Sequence, residues 1–362
     1  MRQQRAVVVD ARMLAYPLTG IGRYAFELVS GLVRAAPGRW ILLSHAPVPE
    51  SVKRSLANGV SWVEGDGRGR AEPWMQRRAP AELTGADATL FLGLANSVPI
   101  WRPRGVRYAL VVYDLTFLVV PRWTELQDLA KGWLVNLPAI LRADVVLTIS
   151  ETVRQDLVRR LSWVGPRSVA LPAAGTLLAA GPGLPREARR GFVTVGAHPR
   201  KNTALLLRAY ASLDSALRQQ HRLHIIARNL TPAIAHLVER LGIGGQVRLM
   251  ADATDGELAD VYRQAIALVY PSRYEGLGLP VAEALLAGLP CIVPPGTPMA
   301  DFLGGGGIVL GAVTVAEVAE AMRRLATDVA EWTACAARAM TAAAALRWDR
   351  VIDVARAALQ PD

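Results

Sequence analysis

Short apolar strands alternate with amphipathic helices along most of this chain of 362 residues. The alternation is typical of parallel sheets covered by helices on both faces. In the first half, strands are predicted over residues 7–10, 40–44, 88–92, 108–113 and 145–149. In the second half, strands are predicted over residues 192–195, 224–227, 247–250, 266–270 and 291–293. The predicted fold class is therefore α/β, with doubly wound parallel sheets.

Helices are predicted between these strands, including residues 22–36 and 203–217. Ser150 is placed to cap a helix that follows the strand at 145–149, and Thr254 with Glu257 has the spacing of a capping box. These signals indicate where individual helices begin.

The alternation is interrupted over residues 165–190, which are rich in Pro, Gly and Ala. A chain of this length also exceeds what one hydrophobic core usually supports. We therefore expect a first domain over residues 1–172, a linker over 173–190 and a second domain over 191–345. A closing helix within 346–362 is expected to return to the first domain.

The composition excludes several classes of protein. Cys291 and Cys335 have no ligand-spaced partner, which favours a reducing, cytoplasmic compartment. No apolar run approaches the roughly 18 residues of a membrane span. The five histidines show no metal spacing. The formal charge is +10, but the arginines are scattered and accompany no nucleic-acid recognition motif, so nucleic acid is not the expected partner.

Tryptophans and arginines cluster three times in the first half. The clusters are Trp74 with Arg77 and Arg78, Trp101 with Arg102 and Arg104, and Trp163 with Arg154, Arg159 and Arg160. Aromatic anchors mixed with cations indicate peripheral contact with an anionic membrane, here the inner face of the plasma membrane. Solvated arginines beside partly buried tryptophans are the alternative explanation.

The segment from Pro271 to Pro290 follows a buried strand directly. Pro280 suits the first turn of a helix, and Gly288 with Pro290 ends it. The front of this helix thus lies where open α/β sheets bind ligands, and its free amides attract an anion. Because glycines at 276 and 278 let a phosphate approach the backbone, a diphosphate is the expected ligand.

Two carboxylates flank this expected phosphate site. Glu275 precedes the helix, and Glu283 is expected within its first turn. Carboxylates repel phosphate but accept hydrogen bonds from sugar hydroxyls, so we expect Glu275 near a transferred sugar and Glu283 near a ribose. Taken singly, Glu275 is better explained as a loop carboxylate, and Glu283 as a first-turn acid that complements the helix dipole; the combination of the two with the glycine loop and the helix favours the site.

A basic turn follows the strand at 192–195, and comprises Gly196, Arg200, Lys201 and Asn202. Arg200 and Lys201 lie at the carboxyl end of that strand, where they can neutralise a leaving diphosphate. A solvated basic turn is the alternative. On this hypothesis, alanine at Lys201 or Glu275 lowers turnover far more than stability.

Together these residues resemble the family-4 glycosyltransferases of the GT-B fold, whose members carry a Glu-x7-Glu motif and an Arg-Lys pair. The resemblance extends over nearly the whole chain, through residues 19–24, 114–115, 143–151, 200–202, 270–290 and Trp348. It implies two Rossmann-like domains facing a central cleft, and metal-independent transfer that retains anomeric configuration. It implies no cofactor, and the sequence contains no Asp-x-Asp motif.

The resemblance also assigns residues. Those implied to be catalytic are Tyr113, Asp114, Arg200, Lys201 and Glu275. Those implied to bind the donor are Gly20, Gly22, Gly196, Arg200, Lys201, Asn202, Met250, Glu275, Gly276, Leu277, Gly278, Leu279 and Glu283. Many relatives have histidine at the position of Tyr113, and tyrosine cannot titrate near neutral pH.

The expected function is transfer of a mannosyl- or glucosyl-type hexose from a GDP- or UDP-sugar. The acceptor would be a glycan or a polyprenyl-diphosphate-linked glycan, in the synthesis of cell-surface polysaccharide. One alternative is a GT-B-shaped binding module without turnover, suggested by tyrosine at position 113, where many relatives have histidine. A dinucleotide-dependent oxidoreductase is a further alternative, since Gly20 and Gly22 have the spacing of a dinucleotide-binding fingerprint. It is remote because these glycines lie ten or more residues beyond the first strand.

Overall fold

A computed structural model describes residues 6–16, 20–36, 38–56, 59–176, 183–228 and 231–360. The chain divides into two compact units. The first comprises Met1–Pro172 and Trp348–Asp362, and the second comprises Ala173–Arg347. Each unit is built around one parallel sheet.

The sheet of the first unit has seven strands in the order β3-β2-β1-β4-β5-β6-β7. They are β1 Ala6–Asp10, β2 Arg39–Ser44, β3 Val60–Glu64, β4 Ala88–Gly93, β5 Arg107–Val112, β6 Val145–Thr148 and β7 Ser168–Ala170. The helices are α1 Gly20–Ala35, α2 Glu50–Ser55, α3 Ala71–Gly85, α4 Thr116–Val119, α5 Leu126–Lys131, α6 Leu137–Arg142 and α7 Glu151–Arg160. A π-helical turn, Gly132–Asn136, joins α5 to α6.

The C-terminal helix Trp348–Leu359 packs on α1 within this unit. Gly31 of α1 permits this contact, because a Cβ there would lie 2.3 Å from Cδ1 of Ile352. The rings of Tyr24 and Trp348 also meet, with centroids 4.9 Å apart. The helix therefore completes the first unit although it ends the chain.

The sheet of the second unit has six strands in the order β10-β9-β8-β11-β12-β13. They are β8 Phe192–Val195, β9 Leu223–Ile226, β10 Val247–Met250, β11 Ala267–Val269, β12 Cys291–Val293 and β13 Gly307–Val309. The helices are α8 Thr203–Ala211, α9 Ser215–Gln220, α10 Pro232–Arg240, α11 Asp255–Gln264, α12 Leu279–Leu286, α13 Pro298–Phe302, α14 Val315–Thr327 and α15 Val329–Ala343.

Two doubly wound parallel sheets confirm the predicted fold class. The Ser150 cap and the Thr254–Glu257 capping box are also confirmed. The continuous helix predicted over 203–217 is wrong, because α8 ends at Ala211 and α9 begins at Ser215. Strands β3, β7 and β13 were not predicted.

Residues 173–190, expected as a linker, group with the second unit. The part described at 183–190 is bound to it: Arg189 is buried and donates hydrogen bonds to the carbonyls of Tyr262 and Ala265, at 3.2 and 3.0 Å. The amide of Leu184 donates to the carbonyl of Arg263. These hydrogen bonds attach residues 183–190 to the second unit.

Candidate active site

The predicted site residues of the second unit lie beyond two adjacent strands. β8 and β11 pair in parallel, so their carboxyl ends lie at the same edge of the sheet. The turn Pro199–Lys201 follows β8, and the loop that contains Glu275 follows β11. The sheet topology thus brings together residues that are more than 70 positions apart in the chain.

Lys201 and Glu275 form a buried ion pair. The Nζ atom of Lys201 lies 2.7 Å from Oε1 of Glu275, and their side chains are only 15% and 7% exposed. Lys201 also donates a hydrogen bond to the hydroxyl of Tyr270. Gly196 leaves room for the lysine stem, because a Cβ at that position would lie 3.2 Å from Cγ and Cε of Lys201.

The loop and the basic turn are also joined through backbone groups. The amide of Arg273 donates to the carbonyl of Arg200 at 2.8 Å. The Ser272 hydroxyl donates to Oε1 of Glu275 at 2.5 Å. Asn202 then adopts the left-handed conformation, with φ of 60°, and turns the chain into α8. Both cationic residues of the turn are therefore fixed next to the Glu275 loop.

The carboxylate of Glu275 is held in its charged form. Burial by itself raises the pKa of Glu275, but the charges of Lys201 and Arg200 and the hydrogen bonds from Lys201 and Ser272 outweigh burial and lower it. The neighbouring Tyr270 is also buried, and burial together with Glu275 raises its pKa well above the ordinary value. The site thus presents a carboxylate that only accepts hydrogen bonds and a phenol that stays protonated.

Gly278 immediately precedes α12 and meets two requirements that favour glycine. Its φ is +88°, a conformation that costs residues with a Cβ roughly 1–2 kcal/mol. A Cβ at Gly278 would also lie 2.3 Å from Cγ of Met299. Pro280 lies at the start of the helix, as predicted. The amides at the front of α12 thus follow a turn that only glycine fits without displacing Met299.

The expected position of Glu283 within the first turn is wrong. Helix α12 begins at Leu279, so Glu283 is its fifth residue, and the first turn contains no acid. The Glu283 side chain is buried, with an exposed fraction of 6%. The explanation of Glu283 as a first-turn acid that complements the helix dipole therefore fails.

The structure places the other predicted donor-binding residues of this unit as follows. Gly276 and Leu277 are buried in the loop between Glu275 and α12, and Leu279 is the first residue of α12. Met250 ends β10, which is separated from β8 by β9. Met250 is thus the member of the predicted set farthest from the ion pair along the sheet.

Sequence reasoning missed Tyr270 and Ser272, both of which contact the ion pair. The available signal was proximity: both belong to the segment that carries Glu275, and Ser272 precedes it by three residues. Their roles depend on contacts with Lys201 and Glu275 that only the folded sheet creates.

In the first unit, the structure buries the side chain of Tyr113, which the resemblance implies to be catalytic. Tyr113 follows β5 and is only 2% exposed, with its ring packed edge-on against Tyr24 at 6.0 Å between centroids. Its hydroxyl has no hydrogen-bond partner among the described residues. Burial, followed by the influence of Tyr24 and Asp10, raises the pKa of Tyr113 well above its ordinary value.

Asp114 is less buried than Tyr113, and its orientation is fixed locally. Its Oδ1 atom accepts hydrogen bonds from the Thr116 amide at 3.1 Å and from the Thr116 hydroxyl at 2.8 Å. Gly20 is the exposed first residue of α1, and Gly22, two residues further on, is buried. Thr19, which belongs to the same predicted motif, lies outside the described residues.

The glycines of this motif do not follow β1 directly, because β1 ends at Asp10 and the turn Arg12–Ala15 intervenes before α1. A dinucleotide fingerprint needs its glycines immediately after the strand. In the parts of the chain that the structure describes, no three His, Cys, Asp or Glu side chains are grouped as a metal ion would require. No helix in those parts is long and apolar enough to cross a bilayer.

Two units, each built on a doubly wound parallel sheet, have the architecture of the GT-B fold. Solved structures show the same fold over nearly the whole chain. Sucrose-phosphate synthase from Thermosynechococcus elongatus has a TM-score of 0.76, 17% identity and 98% coverage of both chains. HepE from Anabaena, solved in complex with UDP and glucose, has a TM-score of 0.73, 13% identity and 99% coverage of both chains.

Sequence comparison then specifies the family to which the second unit is related. Residues 189–328 match the family model described as Glycosyl transferases group 1. The O-antigen chain mannosyltransferase B of Escherichia coli is 27% identical over 330 residues, which are 84% of this chain and 86% of that protein. The resemblance inferred from the sequence is confirmed, and the chain is a homologue of glycosyltransferases.

Proposed function

We propose that this protein is a retaining hexosyltransferase that moves a mannosyl- or glucosyl-type sugar from a GDP- or UDP-sugar to a glycan or lipid-linked acceptor. The observation that carries the proposal is the buried pair of Lys201 and Glu275 beside the front of α12. The positive charge of Lys201 suits a diphosphate, and the carboxylate of Glu275 suits sugar hydroxyls.

On this proposal, Lys201 and Arg200 stabilise the charge that develops on the diphosphate as the glycosidic bond breaks. The free amides at the front of α12 bind the same group, and Gly276 and Gly278 let it approach the backbone. Because the pKa of Glu275 is lowered, its carboxylate is ionised at neutral pH and accepts hydrogen bonds from the donor sugar. Glu283 is proposed to contact the ribose.

No metal ion or cofactor takes part in the proposed reaction. The positive charge that a metal would supply comes from Arg200, Lys201 and the helix front. In the first unit, Asp114 is proposed to orient the anomeric centre and the acceptor, and Gly20 with Gly22 to contact the donor. Tyr113 is assigned to packing against Tyr24 because it is buried.

The choice of substrates follows the relatives. One relative that covers most of the chain is named O-antigen chain mannosyltransferase B, which supports GDP-mannose as donor and a cell-surface polysaccharide as product. The complex of HepE with UDP and glucose supports a UDP-hexose. A polyprenyl-diphosphate-linked acceptor would lie at the inner face of the plasma membrane, where we propose that this cytoplasmic protein acts.

A binding module without turnover is the second candidate, and the burial of Tyr113 favours it. Incubation with a panel of GDP- and UDP-sugars, followed by detection of released nucleoside diphosphate, separates the two. We expect slow hydrolysis of one donor and a rise in Tm with the matching nucleotide. Hydrolysis that yields first the α-anomer from an α-linked donor, seen by proton NMR, supports retention. A rise in Tm without hydrolysis or transfer favours the module.

A further inference from the structure

The first unit exposes four large apolar side chains in one helical segment. In the segment from α5 through α6, Leu126 is 82% exposed, Leu134 is 76% exposed, Trp133 is 51% exposed and Leu141 is 44% exposed. Contiguous exposed apolar surface of this kind marks a site of interaction with a protein or a membrane.

The exposed residues form a stripe along a helix. α5, the π-helical turn and α6 follow one another without a break over residues 126–142. Exposed apolar residues recur at intervals of one, three and four, at positions 126, 130, 133, 134, 138 and 141. That spacing places them on one side of a helix.

The opposite side of the same segment packs on the core of the first unit. Leu129, Ala139 and Ile140 pack with that core. Gly132 allows close approach, since a Cβ there would lie 2.2 Å from the Phe117 ring. The segment is therefore apolar on two sides, and the core covers only one of them.

Two further exposed groups are joined to the end of α6. Arg142 donates a hydrogen bond to the carbonyl of Ile100 at 2.5 Å, and Ile100 and Trp101 are 66% and 59% exposed. Arg167 donates to the carbonyl of Ala143 at 2.5 Å, and it ends the turn that carries Trp163, which is 62% exposed. We call the set the Trp133 surface; it comprises Ile100, Trp101, Leu126, Trp133, Leu134, Leu141 and Trp163.

The unit that carries this surface has a positive net charge. The first unit has 24 Lys and Arg against 17 Asp and Glu, a net charge of +7, whereas the second has 17 against 14, a net charge of +3. Arg122 and Lys131 flank the stripe and are exposed. Within the described part of the chain, the side chains of these two cations take part in no ion pair. Their charges are available to an external anion.

We infer that the Trp133 surface docks on an anionic lipid bilayer, with its apolar stripe in the interfacial layer and Arg122 and Lys131 at the headgroups. Tryptophan is enriched at the membrane interface, and anionic lipids attract adjacent cations. A second copy is the weaker occupant, because two units of net charge +7 repel each other. This inference rests on the proposed function in one respect: the bilayer is where a lipid-linked acceptor would lie. Binding of the surface to a bilayer can be tested independently of transfer.

The surface differs from the clusters expected from the sequence. Trp101 and Trp163 are exposed and belong to it. Trp74 does not, because its ring packs against the core and lies 6.3 Å from the His45 ring. For Trp74, the alternative explanation of a partly buried tryptophan therefore applies.

Vesicle flotation with the full chain tests the inference. Vesicles of phosphatidylcholine with one quarter phosphatidylglycerol are compared with pure phosphatidylcholine at low salt. We expect binding to the anionic vesicles, a blue shift of tryptophan fluorescence, and at least tenfold weaker binding for Leu134→Glu. Lys131→Gln is expected to weaken binding to anionic vesicles about fivefold, since a cation near the surface contributes ~1 kcal/mol.

Val329→Glu is the matched control. Val329 is 54% exposed in the second unit and begins α15, where a carboxylate suits the helix dipole. This variant is expected to bind like the wild type. Circular dichroism checks that Leu134→Glu remains folded, as the exposure of Leu134 predicts.

Absence of binding to anionic vesicles, or equal binding by Leu134→Glu, overturns the inference. A concentration-dependent dimer that Leu134→Glu abolishes, without vesicle binding, assigns the surface to a second copy and also overturns it. Donor hydrolysis is measured without vesicles. Hydrolysis without vesicle binding therefore refutes this inference alone, and vesicle binding without turnover refutes only the proposed function.

Discussion

Replacing Lys201 by alanine is expected to damage both stability and turnover, which corrects the prediction from sequence that turnover alone would suffer strongly. The substitution leaves the Glu275 carboxylate buried without its nearest cation. Breaking one partner of a buried ion pair costs roughly 3–5 kcal/mol. Because Arg200 and Ser272 still stabilise Glu275, we take the lower end, about 3 kcal/mol.

This loss corresponds to a large shift of the thermal transition. For a unit of this size, each 1 kcal/mol lowers Tm by roughly 2–4 °C, so Lys201→Ala should lower it by about 6–12 °C. The double variant Lys201→Met with Glu275→Gln removes both charges and keeps the volume. It should recover about half of the loss, because no unpaired charge stays buried.

The assay combines thermal unfolding with turnover at a temperature where all variants are folded. Both Lys201→Ala and the double variant should lose roughly 10²–10³-fold in turnover, because each lacks a cation at the leaving diphosphate. The reasoning is refuted if Lys201→Ala unfolds at the wild-type temperature, or if the double variant is less stable than the single one.

Two further predictions concern stability. His221 is buried, accepts a hydrogen bond from the Gly191 amide, and has a pKa lowered to about 4 by burial and by Arg186 and Arg190. The neutral His221 contributes to the free energy of unfolding in full above pH ~6.5, and this contribution, on the order of 3 kcal/mol, is lost as pH falls through about 4. The stability of His221→Gln should therefore fall less steeply between pH 6.5 and about 4 than that of the wild type. The same loss of stability in both proteins would refute this. Gly278→Ala should lower Tm more than Gly242→Ala, because both glycines have positive φ but only Gly278 faces Met299, and it alone should weaken nucleotide binding in a thermal-shift titration. Equal effects of the two variants would show that the Met299 contact is unimportant.

Much of the second unit could be predicted from local pattern. Strands β8 and β12 have the predicted bounds, because each is a short apolar run between turn residues. Lys201 and Glu275 were each predicted to follow a strand at the sheet edge where ligands bind, and the pairing of β8 with β11 brings the two together. Pro280 located the front of α12 because proline is favoured there.

The remaining features depend on tertiary contacts that no local pattern carries. Tyr113 is buried because α1 brings Tyr24 against it, a contact between residues far apart in the chain. The break between α8 and α9 occurs where Asp214 takes an extended conformation ahead of Ser215. β3 lies at the sheet edge with mixed burial, so its apolar signal is weak. The burial of Lys201 with Glu275 likewise became visible only in the folded sheet.

A crystal structure of the protein with GDP or UDP bound tests the central claim most directly. We expect the β-phosphate to lie within hydrogen-bond distance of Lys201 and Arg200, and its oxygens to accept hydrogen bonds from backbone amides at the front of α12. A diphosphate bound elsewhere in the second unit, or contacting neither cation, would contradict it.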